Sequence, residues 1–129
     1  MTLTTILSHT HSGIRWLVVA AAVAAFVFFG YGWLAKKYSE KPARILTAAY
    51  SGLLDMQVLL GLIFLFVVGV KGNRIEHMFM MILAAVLAHL PRKWRDGAAE
   101  TYYRNTFFCI LISLVFIYLG VARVGGWSL

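Results

Sequence analysis

The stretch from Trp16 to Ala35 contains no charged residue, and nothing constrains this chain more. A helix rising about 1.5 Å per residue needs about twenty such residues to cross a hydrocarbon core of about 30 Å. The sequence repeats the pattern. Uncharged or nearly uncharged runs predict spans at 14–35, 45–70, 75–90 and 104–123. The second is interrupted only by Asp55 and Gln57. The third is stopped by Pro91 and covers roughly 24 Å, so it implies an upright helix, a thinned bilayer, or a proline tolerated inside a longer helix. The fourth is expected to end at Gly125-Gly126, with Trp127 as an interfacial anchor.

Composition closes off the other fold classes. With 61% hydrophobic and 13% charged residues, the 129-residue chain is too apolar for a soluble domain or a disordered one. Its net charge of +7 would suit nucleic acid in a soluble protein, but the basic residues flank apolar runs, where they orient a membrane protein. Connections of about ten, five and thirteen residues between the predicted spans leave no room for a separate soluble domain. The expectation is a single transmembrane domain over 1–129, an all-α antiparallel four-helix bundle with short loops. Lys36, Lys37, Lys41, Arg44, Arg92, Lys93, Arg95 and Arg104 put eight basic residues on one side; Arg15, Lys71, Arg74 and Arg123 put four on the other. The positive-inside rule then predicts both termini outside. Met1–Thr10 has no Lys or Arg, so the first apolar run reads as a retained helix rather than a cleaved signal.

Small and aromatic residues read first as packing. The alanine-rich tract Ala20–Ala25 offers a close-packing surface, and Cys109 reads as a core thiol. Trp16, Trp33, Tyr38, Trp94, Tyr102, Tyr103 and Trp127 fall at span ends, as interfacial belts do. Phosphate loops, nucleophilic triads and zinc-ligand spacings are missing from the sequence.

Function must therefore rest on the few polar residues at membrane depth, where they are costly. His11 and Arg15 share a helix face at i and i+4, near the same bundle end as Glu76 and His77. His9 is about 200° round the helix from His11, so only one of them can face inward, and His11 is the choice that shares a face with Arg15. A haem b inside a four-helix bundle needs two imidazoles from different helices at one depth, with basic groups for its propionates. His11 and His77 meet that requirement as iron ligands, with Arg15, Arg74 or Arg123 for the propionates. The plainer alternative is an interfacial histidine and a snorkelling arginine. His89 lies about 18 Å along the third helix from His77 and matches Asp55 in depth. That pair reads as a proton relay, a ligand-orienting pair or a polar clasp. Gln57 sits about 200° from Asp55, so the second helix is polar on two faces, which argues for a bound group, a homo-oligomer or a larger complex.

The runs His11-Ser12-Gly13-Ile14-Arg15-Trp16, Gln57-Val58-Leu59-Leu60-Gly61-Leu62 and Glu76-His77-Met78-Phe79-Met80-Met81, with His89 beyond, resemble those of small four-span bacterial membrane proteins labelled cytochrome B-like. The arrangement also looks like half of haem A synthase and, more distantly, the cytochrome b561 architecture. The resemblance implies a bacterial inner-membrane haem protein that transfers electrons beside a quinol-linked complex, with His11 and His77 as outer ligands. It would pair His89 with a second-helix position that is Asp55 here, a departure that leaves no ordinary inner pair of histidine ligands. Arg15, Gln57, Asp55 and His89 complete the candidate cofactor-binding set. Partners left open are other membrane subunits, a second copy and a quinone. Nothing in the residues points to a stand-alone enzyme. The alternatives are a non-catalytic accessory subunit and a proton-conducting element built on Asp55 and His89.

Overall fold

A computed structural model describes residues 2–69 and 72–123. Four helices, α1 (Leu3–Ala35), α2 (Glu40–Val68), α3 (Gly72–His89) and α4 (Ala99–Arg123), run antiparallel, and each span is long and apolar enough to cross a membrane. Each helix packs mainly on its sequence neighbours, and α4 closes the ring against α1. Consequently α1 and α3 stand diagonally opposite across the bundle axis. The expected all-α four-helix membrane architecture is the one observed.

Helix ends differ from the expectation for a physical reason. Charged residues mark the edge of the hydrocarbon, whereas caps mark the end of a helix. Thr2 caps α1 by accepting the Thr5 amide at 3.2 Å, so the helix begins at Leu3, well before residue 14. Lys36 in the left-handed conformation closes α1, and Lys37 N–H reaches the Gly32 carbonyl at 2.9 Å. Lys41, Arg44 and Arg104 therefore ride on helices that continue beyond the apolar run, and the connections between helices are shorter than the spacing of charges implied. The short third span also resolves. After His89 the chain continues as a 3₁₀ turn, Leu90–Trp94, with the buried Pro91 in its first positions, and the apolar span reaches 21 residues, Arg74–Trp94. A proline at the first turn of a helical segment loses no hydrogen bond. The expected terminators Gly125-Gly126 and Trp127, the Lys71 of the second connection and the Arg123 side chain lie outside the described residues.

The core mixes small and large residues from all four helices. Ala22, Ala25 and Phe29 are fully buried and meet Leu54, Ala84, Ile110 and Ile117. Cys109 is buried in the same interior. Three helices are tied by a polar chain. Ser113 Oγ–H donates to the Ala84 carbonyl at 3.0 Å and accepts from the Tyr50 hydroxyl at 2.5 Å. Ser113→Ala strands the Tyr50 hydroxyl and should cost about 1–3 kcal/mol of unfolding free energy in detergent. Adding Tyr50→Phe should recover most of that loss, because the stranded donor is then gone as well.

The basic end of the bundle is sealed by aromatic rings. Tyr102 and Tyr103, expected in an outward belt, are instead buried against Phe29, with ring centroids 5.7 and 5.0 Å away. The Tyr103 hydroxyl accepts from Ser39 N–H at 2.7 Å and donates to the Ser39 carbonyl at 3.0 Å. The ring can lie there because Gly32 has no Cβ to meet it.

Candidate functional site

Two imidazoles face each other across the bundle axis in the half that holds the chain termini. His11 comes from α1 and His77 from α3, with ring centroids 6.2 Å apart and planes at 81°. Between two metal-bound imidazoles, each nitrogen about 2.0–2.1 Å from the ion, the ring centres stand about 6 Å apart. His9, by contrast, lies on the exposed face of α1.

His77 is held in one tautomer. Its Nδ1–H donates to the Gly120 carbonyl of α4 at 2.7 Å, which leaves the lone pair on Nε2. This is the hydrogen bond that metal-ligating histidines use to fix ring orientation. His11 Nδ1 is buried and has no hydrogen-bond partner, and neither does Oε1 of Gln57, although Gln57 lies beside the His11 ring.

Both histidines border two cavities. One, of about 80 Å³, runs toward the bundle centre and is lined by Arg15, Val18, Leu54, Gln57, Met81, Ile117 and Val121 as well as the two rings. The other, of about 120 Å³, runs toward the termini past Gly61, Phe64, Leu65, Arg74 and Met78. A glycine sits against each imidazole. A Cβ at Gly61 would lie 2.9 Å from Met78 Cε and 3.5 Å from His11 Cε1. A Cβ at Gly120 would collide with Met81 Cε and lie 3.5 Å from His77 Nδ1. Gly61 stands in the sequence within the run from Gln57 to Leu62, whereas no sequence signal marked Gly120.

The neighbouring cations divide the two cavities between them. Arg15 borders the inner one, its guanidinium 5.2 Å from the Trp16 ring centre. Arg74 borders the outer one and donates from Nη1 to the Gly69 carbonyl at 3.1 Å, capping α2, where the helix dipole favours a cation.

Asp55 and His89 do meet, but elsewhere. His89 Nε2 lies 2.9 and 2.7 Å from the two Asp55 oxygens, on the outward face between α2 and α3, with both side chains about half exposed. Arg92, which the sequence reading did not place in the cluster, completes it. Its Nη1 contacts His89 Nδ1, and its Nη2 donates to Ser51 Oγ at 3.1 Å. An arginine can only donate, so Nδ1 accepts and Nε2–H points at the carboxylate. The imidazole thus bridges the Arg92 guanidinium and the Asp55 carboxylate. The available sequence signal was the i, i+3 spacing from His89 to Arg92 across Pro91. The cluster heads an open groove of about 460 Å³ lined by Val58, Ile82, Ala85, Val86 and Leu90. Of the two polar faces of α2, the one with Gln57 is inside and the one with Asp55 outside.

No protein-family model, curated protein or solved structure matches the chain. Among the described residues, no three or more His, Cys, Asp or Glu side chains gather as a metal site. Two opposed imidazoles suit a group that brings its remaining ligands with it.

Proposed function

We propose that this chain is a membrane-embedded b-type haem protein that carries electrons, with His11 and His77 as the residues that would hold the haem iron. The opposed pair of half-buried imidazoles from α1 and α3, one already oriented by the Gly120 carbonyl, carries the reading. A bound haem would supply a one-electron ferric/ferrous couple. The protein's part is to present two ring nitrogens at a fixed separation, beside glycines that leave room for the Met78 and Met81 side chains packed next to the rings. Arg15 and Arg74 are the described cations at hand for the propionates. The distribution of basic residues supports an orientation with the termini and this site on the outer side of a bacterial inner membrane. Electron partners consistent with this position are a quinone or other membrane subunits.

The cavities beside the histidines are small, so loading requires the helices to part around the macrocycle. Titration of detergent-purified protein with haemin should saturate at one equivalent and raise the thermal unfolding midpoint by mass action. Absence of a saturable Soret change would count against the reading.

The outward Asp55–His89–Arg92 cluster favours a second reading, assembly with another membrane subunit that covers it. Ionisable groups facing lipid are costly, and a partner would shield them. In mild detergent the native mass should then exceed the 14.4 kDa of one chain, and Asp55→Leu should reduce it. A wild-type monomer would contradict this second reading and leave the haem proposal standing.

A further inference from the structure

We infer that Gln57 is the positioning residue for His11, the counterpart on α2 of the Gly120 carbonyl that holds His77. The inference rests on the haem reading above and goes beyond it by assigning a hydrogen bond to a named side chain.

Two buried polar atoms without partners sit together in one cavity, Nδ1 of His11 and Oε1 of Gln57. Each is costly alone, because a buried polar group that makes no hydrogen bond loses its water without compensation. Gln57 is 8% exposed and lines the wall that His11 occupies. The two orphans are chemically complementary. A histidine that offers Nε2 to a metal carries its proton on Nδ1, and that N–H requires an acceptor. The carboxamide oxygen provides one without bringing a charge into the membrane. On the other side of the bundle the same need is met by the Gly120 carbonyl at 2.7 Å from His77 Nδ1. The pair of ligands is thereby oriented by one backbone acceptor and one side-chain acceptor, and only the second is open to substitution.

An acceptor on the distal ring nitrogen makes an imidazole a stronger donor to the metal, and loss of such a partner typically weakens metal affinity by about 10–100-fold. The stronger donor favours ferric iron. Gln57→Leu keeps the approximate size of the side chain but removes the acceptor, so it should lower the ferric-over-ferrous preference by about tenfold. For a one-electron couple that is an upward shift of about 59 mV in midpoint potential. Gln57→Glu keeps a carbonyl oxygen in place and should stay at or below the wild-type potential.

The experiment is a spectroelectrochemical titration of wild type, Gln57→Leu and Gln57→Glu in one detergent, with low-temperature electron paramagnetic resonance of the ferric forms. An upward shift in Gln57→Leu that Gln57→Glu does not share supports the assignment. Loss of haem from Gln57→Leu alone, with Gln57→Glu loaded, supports it equally. A Soret band in all three with one common potential overturns the assignment while leaving the haem reading intact. Failure of both variants to hold haem that the wild type holds would make Gln57 a packing residue and also overturn it. A wild type without a Soret band overturns both.

Discussion

Replacing His11 or His77 by alanine should reduce bound haem by more than about tenfold, whereas His9→Ala and His89→Ala should retain the wild-type Soret band. The contrast follows from placement. His11 and His77 are the rings that face each other at 6.2 Å and border both cavities of the terminal half. His9 is on the exposed face of α1, and His89 is committed to Asp55 and Arg92 on the outside of the bundle. His77→Ala also removes the hydrogen bond to Gly120, so α3 and α4 lose a cross-helix contact as well as a ligand. Absorption spectra of the four variants, normalised to protein, decide the matter. Equal loss in all four, or in none, would contradict the assignment of ligands.

The second large effect concerns the sealed basic end. Gly32→Ala should destabilise the bundle by about 1–3 kcal/mol, the usual cost of overpacking a tight interior. In an open helix the same change would be stabilising by about 0.5–1 kcal/mol. Here the added Cβ would overlap the Tyr103 ring and stand 2.8 Å from the Lys37 carbonyl. Tyr103 cannot simply swing away, because its hydroxyl holds both the amide and the carbonyl of Ser39. The obstruction would therefore spread to the α1–α2 connection. Gly13→Ala provides the control, since a Cβ there meets nothing within 4 Å. Thermal unfolding of the two variants in one detergent should separate them, Gly32→Ala lower and Gly13→Ala at or above wild type.

The architecture was legible because lipid imposes a simple rule on composition, and Trp16–Ala35 obeys it. Helix ends were not, because the Thr2 cap and the left-handed Lys36 are set by local backbone bonding, to which a count of charges is blind. The meeting of Asp55 with His89 followed from depth alone. Which way the pair faces did not, since depth fixes position along a helix and leaves rotation about it to packing. The same limit explains Tyr102 and Tyr103, which lie at a span end and yet turn inward. Depth also made His11 and His77 neighbours in prospect. Beside them stand Gly61 and Gly120, where an added Cβ would press on Met78 and Met81, contacts between helices that depth alone does not disclose.

The central claim is tested most directly by a reduced-minus-oxidised absorption spectrum of the detergent-purified wild-type protein, with haem quantified against protein. A haem protein with two imidazole ligands predicts a Soret band and sharp α and β bands on reduction, at one haem per chain. A protein purified from haem-sufficient cells that shows no Soret band, and gains none on adding haemin, would contradict it.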